Sequence, residues 1–230
     1  MAVQKIMERY PPGAAIWLNG FGNHPPATLV GGESWGLLDN NPSPHIYRTT
    51  AAQTAVVISN GWWAEGGKVK FNARQLYRYL VCSVATKGQH NGGVAYTTGL
   101  YSNNQWETGV PQVAQAFGNL VRSNAKAIFN TRPSKAYVSG QAAAAKPAWG
   151  VAVDSRHRHI VYLHVLMPPR GQTLNIARPA DGAVFASAKL LHGGPIALAK
   201  TASGYAITLP TGVRWSHLDT IIALKVKRMN

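Results

Sequence analysis

Residues 157–182 read HRHIVYLHVLMPPRGQTLNIARPADG, residues 188–210 read AKLLHGGPIALAKTASGYAITLP, and residues 218–227 read LDTIIALKVK. The apolar runs are short and rich in Val, Ile, Leu and Tyr, and Pro-Pro, Asp-Gly, Gly-Gly and Ser-Gly pairs separate them. That pattern predicts consecutive antiparallel strands. In an extended chain His159, Val161, Leu163 and Val165 share one face, and Ile160, Tyr162, His164 and Leu166 the other. Both faces are largely apolar, which predicts a central strand, and Thr220–Val226 reads the same way. The expectation is an antiparallel β-sandwich over residues 151–230.

Working outward, VSGQAAAAKPAWG (138–150) has the composition of a linker, placed at 139–150. Residues 1–138 alternate between strand-like and helix-like stretches. Ala2–Arg9 reads as a short helix, Gly13–Asn19, Ala55–Ser59 and Gly93–Thr97 as strands, and residues 23–54 as a long polar loop. Asn72 suits the N-cap of a helix over ARQLYRYLVCSVATKG (73–88), with Leu76, Leu80 and Val84 recurring every four residues and Gly88 as its stop. Pro111 suits the first turn of a second helix with Val113, Phe117, Leu120 and Val121 as its apolar stripe. Ala125–Phe129 reads as a further short helix, which Asn130–Pro133 breaks. Strand and helix in alternation predict βα units with a parallel sheet. Three strands do not close an eight-stranded barrel of ~250 residues. The fold class expected is therefore α/β plus all-β, a partial (β/α) barrel followed by the sandwich.

Composition narrows the classes. The chain has 230 residues, 46% hydrophobic and 13% charged, as expected of a globular protein with a sizeable core. Its 23 Lys+Arg against 8 Asp+Glu give a net charge of +15. That excess fits either a solvated basic surface or a binder of nucleic acid or anionic glycan. The basic residues are spread evenly along the chain, so a nucleic-acid partner is not expected. The single cysteine, Cys82, excludes an intrachain disulfide framework and a cysteine-based zinc site, and its apolar surroundings predict a buried small hydrophobe. The N-terminus MAVQKIMERYPPG lacks the apolar core of a signal peptide, and no stretch is long and apolar enough to span a membrane.

The order of several pieces resembles the α-L-fucosidases of glycoside hydrolase family 29. YPPGAAIWLNGFG (10–22), GGESWGL (31–37), VVISNGWWAEGGKVK (56–70) and LYRYLVCSVATKG (76–88) are similar to successive elements of the second half of that family's barrel. GLYSNNQWETGV (99–110) resembles its GP-x-x-DG loop, and NAKAIFNTRPSKAY (124–137), the closest piece, its NGEAIYGTRPW. VYLHVL, LLHGGP, GYAITLP and DTIIALKV then follow in the order of its C-terminal β-sandwich. The resemblance implies hydrolysis of terminal α-L-fucosyl residues with retention, fucosylated oligosaccharides or glycoconjugates as ligands, and no cofactor or metal. It implies a secreted, periplasmic or lysosomal setting. It also implies that the half of the barrel bearing the nucleophile precedes the part seen here.

Retention needs two carboxylates ~5 Å apart, a nucleophile and an acid/base. The family nucleophile is an Asp at the end of a strand closing in aromatic residues. None of Glu8, Glu33, Asp39, Glu65, Glu107, Asp154, Asp181 or Asp219 follows such a strand. In one branch of the family the acid/base is the Glu of a W-E-T-C element before SWGY. Aligning on Ser34–Trp35–Gly36 places Pro25 and Pro26 there, so Glu33, beside the motif, is the substitute candidate. Glu65 is weighed as a turn carboxylate, and Glu107 as part of a polar surface loop without a role. Trp35, Trp62 and Trp63 are the candidate sugar-binding residues, since indole faces stack on the apolar faces of sugars and barrel sites are built from loops at strand C-termini. His157 and His159 alternate on an extended chain, but two ligands without a third make a weak metal pair, and they read as exposed strand histidines. His164 faces the other way, as a satisfied core histidine. The expectation is that the chain alone does not turn over a fucoside. The alternative is a non-catalytic carbohydrate-binding or structural module. An open barrel piece exposes sheet edges, which a partner chain completing the barrel would cover.

Overall fold

The computed structural model describes residues 17–19, 29–34, 51–58, 69–85, 94–138 and 149–227. The chain divides into two compact units, one of Met1–Ser83 with Gly88–Ala116, the other of Val84–Lys87 with Phe117–Asn230.

In the first unit β1 (Trp17–Asn19), β2 (Leu29–Ser34), β3 (Ala51–Val57) and β4 (Val94–Thr97) form a parallel sheet in sequence order. The 23–54 loop expected from the sequence is overturned here. It holds all of β2 and the first residues of β3, so four strands stand where three were expected. The sequence of β2, LVGGES, carries a Gly pair that weakens any local strand signal. Its pairing comes instead from both flanks, Trp17–Leu29 through Asn19–Gly31 on one side and Leu29–Ala51 through Ser34–Val56 on the other.

Helix α1 (Ala73–Ala85) starts where Asn72 predicts. The Gln75 N–H donates to Asn72 Oδ1 and the Asn72 N–H to Gln75 Oε1, both at 3.0 Å, a reciprocal capping box. The stripe expected along it is broader in the structure. Leu80 and Val84 are half-buried, while Leu76, Tyr77, Tyr79, Val81, Cys82 and Ala85 are fully buried. A helix covered on so many sides is an interior element. Helix α2 (Val110–Ser123) carries Pro111 in its first turn. Its predicted stripe, Val113, Phe117, Leu120 and Val121, is half-buried.

In the second unit a short 3-10 turn at Ala125–Ala127 replaces the expected 125–129 helix, and Thr131–Pro133, expected as a break, is strand β5. It pairs antiparallel with β6 (Gly150–Ser155), so the antiparallel sheet begins ahead of residue 151. Then come β7 (Ile160–Val165), β8 (Thr173–Ala177), β9 (Phe185–Leu190), β10 (Pro195–Lys200), β11 (Gly204–Thr208) and β12 (Thr220–Val226). The spatial order is β5-β6-β7-β12-β9-β10-β11-β8. The predicted central strand, β7, is indeed flanked by β6 and β12 and buried on both faces.

The two layers expected of a sandwich are halves of one curled sheet. Strand β10 pairs with β9 through Pro195 and Ile196, then with β11 through Ala197–Lys200, and so carries the sheet around. Leu174, Ile176, Tyr205 and Ile207 from one half meet Ala152, Leu163, Ile222 and Leu224 from the other in a single core. Tyr137 packs edge-on against Trp149, with centroids 5.9 Å apart, and stacks on Phe185 at 6.3 Å. Two glycines allow backbone to approach backbone. A Cβ on Gly150 would lie 2.1 Å from the His164 carbonyl oxygen, and one on Gly204 2.1 Å from that of Ile176.

Candidate functional site

Parallel strands present their ligand-binding loops at one end, because every strand ends on the same side and the crossover returns from there. The register aligns Ser34 with Val56 and Val56 with Tyr96, so the C-termini of β2, β3 and β4 form one row. Glu33 is the penultimate residue of β2, opposite Ala55. Trp35 directly follows β2, and Trp62 and Trp63 follow β3. All three lie outside the described residues, as does Glu65.

A described loop joins this row after β4. Leu100 and Trp106 form an isolated antiparallel bridge, so their side chains share a face. The turn between them is fixed by the Tyr101 N–H donating to the Gln105 carbonyl at 2.9 Å and the Asn104 N–H to that of Tyr101 at 2.8 Å, with Asn104 in the left-handed region at φ 62°. Leu100 is 46% exposed and Trp106 50% exposed, a large apolar pair in water. An exposed indole beside an aliphatic chain suits the C–H face of a sugar ring. Sequence reasoning passed over Trp106, although the residue type was the available signal. It also placed Glu107 on the surface, which the structure overturns. Glu107 is 1% exposed, with its carbonyl accepting from the Val110 N–H at 3.1 Å where α2 begins.

The carboxylate inventory limits the chemistry. Strands β1 (WLN), β3 (AAQTAVV) and β4 (VAYT) contain no Asp or Glu, leaving Glu33 on β2 without a carboxylate on a neighbouring described strand. Strands two positions apart are separated by ~9.6 Å, wider than the ~5 Å of a retaining pair.

The buried ionisable groups of the second unit hold structure together. His164, fully buried on β7, lies 2.7 Å by Nδ1 from Asp219 Oδ2 and donates from Nε2 to the Ala127 carbonyl at 3.1 Å. Burial opposes its charge, but the Asp219 carboxylate and the Ala127 carbonyl outweigh it, so its pKa is raised. This is the satisfied core histidine expected from the sequence. Asp154, 4% exposed on β6, accepts from the Lys135 N–H at 3.0 Å through Oδ2, while Oδ1 has no hydrogen-bond partner. Burial pushes its pKa up, against the Ser134 hydroxyl, the Lys135 N–H and Arg158, with Asp181 adding to the rise. His157 and His159, expected on a strand face, sit in the turn before β7, exposed, with ring centroids 6.3 Å apart. Among the described residues no cluster of three metal-ligating side chains occurs, and no helix is long and apolar enough to cross a membrane.

A parallel sheet followed in the chain by a curled eight-stranded antiparallel sheet is a fold similar to that of part of several solved α-L-fucosidases. The α-L-fucosidase isoenzyme 1 from Paenibacillus thiaminolyticus shares 19% identity with a TM-score of 0.66, over 87% of this chain and 45% of its own. The family 29 α-L-fucosidase from Bacteroides thetaiotaomicron shares 18% with a TM-score of 0.66, over 86% of this chain and 42% of its own. The Thermotoga maritima α-fucosidase in complex with fucose shares 12% with a TM-score of 0.62, over 90% and 44%. This chain thus spans less than half the length of the structures it resembles. No family model matches the sequence, and no curated protein matches it.

Proposed function

We propose that this chain is the C-terminal portion of an α-L-fucosidase-like glycoside hydrolase. In this reading the parallel unit is the second half of a (β/α) barrel, and the antiparallel sheet corresponds to the C-terminal β-sandwich of that family. Fucosylated glycans are bound at the loops after β2, β3 and β4, with Trp35, Trp62, Trp63 and Trp106 as stacking surfaces and Glu33 as candidate acid/base. The observation that carries the reading is the extent of the structural likeness. It covers 87% of the chain, more than the antiparallel unit alone accounts for.

The chain alone is a binder and not a catalyst, because Glu33 lacks a carboxylate partner on the adjacent described strands. In the complete site a partner carboxylate comes from strands beyond β1 or β4, and a partner chain pairing with those edges is the form in which activity appears. The test uses the purified chain with an aryl α-L-fucoside and with free fucose. No turnover above blank is expected, together with a fucose-dependent change in tryptophan fluorescence that a Trp62→Ala/Trp63→Ala variant loses. Turnover by the chain alone sinks the claim of inactivity. Fucose binding that survives loss of Trp35, Trp62, Trp63 and Trp106 together sinks the assignment of the site.

A further inference from the structure

The basic residues that look evenly scattered in the sequence gather on one side of the antiparallel sheet. On β12 Leu224 is buried in the core, so Ala223 and Lys225 emerge on the opposite face. Lys225 stands opposite Ile160 of β7 and Ser187 of β9, and Ala223 stands opposite Lys189. Lys225 and Lys189 are therefore diagonal neighbours on one face, ~7–8 Å apart at the backbone. Lys227 follows at the end of β12, and its N–H donates to the Val184 carbonyl at 2.7 Å. The turn between β6 and β7, RHRH at 156–159, adds Arg156 and Arg158 at the same end. All five cations are exposed. Among the described residues none of the five is in a salt bridge.

Between these charges lies a groove of about 370 Å³ with Ile160, Ala188, Ala223 and Pro195 as an aliphatic floor and Lys189 and Lys225 as its walls. An adjoining cavity of about 410 Å³ shares His159 and Lys225 with it and reaches Lys227. A third, of about 310 Å³, runs from His159 past Arg158 to Asp154 and Asp181. Of those two carboxylates Asp154 is buried, leaving Asp181 as the exposed anion of this cavity beside Arg158 and Lys227.

We infer that this groove is a binding site for a sulfated polysaccharide, separate from the strand-end loops and independent of the fucosidase reading. Unpaired lysines crowded on adjacent strands repel one another, and an anionic chain laid across them removes that repulsion. The cations are close-set, so a chain with several sulfates per disaccharide matches them better than one with a single carboxylate. The aliphatic floor fits the C–H face of a pyranose. A single-stranded nucleic acid calls for a run of aromatic platforms on which successive bases stack, and beside its aliphatic floor the groove lining offers one ring, His159.

The test titrates the full chain with fluorescently labelled heparin, read by anisotropy at about 50 to about 300 mM salt. Binding that weakens steeply with salt is expected. Lys189→Gln/Lys225→Gln should weaken it roughly tenfold. Lys126→Gln/Arg170→Gln, which removes the same charge elsewhere on exposed positions, should change it less than about twofold. A second readout needs no variant: heparin should shield Lys189, Lys225 and Lys227 of the unaltered chain from acetylation, measured by mass spectrometry. The inference is overturned by absence of binding at the lowest salt, by equal binding of chemically desulfated heparin, by equal loss in the control variant, or by acetylation that heparin leaves unchanged. Tighter binding of a 20-nucleotide DNA through the same lysines overturns it in favour of a nucleic-acid partner.

Discussion

In the antiparallel unit most strands find a partner just beyond a turn. Strand β9 ends at Leu190 and β10 begins at Pro195, and β10 ends at Lys200 with β11 beginning at Gly204. In the parallel unit β3 and β4 pair across a crossover from Val57 to Val94, with α1 between them. The antiparallel strands close a core of their own from both halves of a curled sheet. The parallel strands depend on crossovers, which parallel pairing requires, and their helix is buried on most sides. The contrast assigns different work to the two regions. The self-closing sheet tolerates a crowded basic surface, whereas in the reading proposed above the loops at the ends of the parallel strands bind the sugar.

The sharpest test of that self-closing core is the His164 staple. It joins β7 to Asp219, just before β12, and to Ala127 in the 3-10 turn. His164→Leu leaves the Asp219 carboxylate buried beside an apolar side chain and the Ala127 carbonyl without its donor. Losing one partner of a buried pair costs ~3–5 kcal/mol. Urea unfolding should show that loss, and hydrogen exchange should place it in β7, β12 and 125–127. Replacing both residues, His164→Leu/Asp219→Leu, should recover much of it. The pH dependence has a definite sign. The folded-state pKa of His164 is raised, so its contribution is full below ~6.5, the ordinary histidine value, and fades as pH climbs through the folded value. The cost of His164→Leu should therefore shrink in alkali. A cost that is flat across that range would show the staple to be packing alone.

Asp154 gives a smaller effect with the opposite outcome. Its pKa is raised from 3.8 by burial, so the native state holds the proton more tightly than the unfolded chain. Stability from this group is greatest below 3.8 and declines as pH rises through the folded value. Asp154→Asn keeps an oxygen to accept from the Lys135 N–H but never ionises. The variant should be more stable than the parent at neutral pH, with the gap closing in acid. Thermal melts across pH 3–8 check this, and a variant less stable at every pH would mean that the charge itself is favourable there.

How much of this was legible depended on where each strand finds its partner. The antiparallel strands announce themselves, since Gly193–Gly194 and Ser203–Gly204 mark turns between β-rich runs. Strand β12 falls at Thr220–Val226 as its residues predict. Strand β2 does not, because LVGGES has neither alternation nor β-branched density, and its pairing partners lie in distant segments. Strand β5 hides for the same reason, as TRP reads as a helix stop until β6 supplies its partner. Glu33 was singled out through the Ser34–Trp35–Gly36 likeness; the structure gives its position near the end of β2, and its role stays a proposal. The burial of Glu107 was not visible, because a polar neighbourhood in sequence says nothing about which side chain turns inward. Nor was the basic groove, whose lysines stand on β9 and β12, far apart in the chain.

The smallest expected effect bears on whether the two regions stand or fall together. Asn72 and Gln75 cap α1 reciprocally, and both are exposed, so the cap contributes to helix stability with little else attached. Asn72→Ala removes the acceptor for the Gln75 N–H and should cost ~1 kcal/mol, while Asn72→Ser should restore most of it. Native-state hydrogen exchange then separates two cases. If the α1 amides lose protection by that amount and the β7 amides do not, the parallel unit opens without the antiparallel one, as expected of a sheet that closes its own core. If β7 loses the same protection, the two units unfold as one, and the antiparallel core draws on the parallel unit after all.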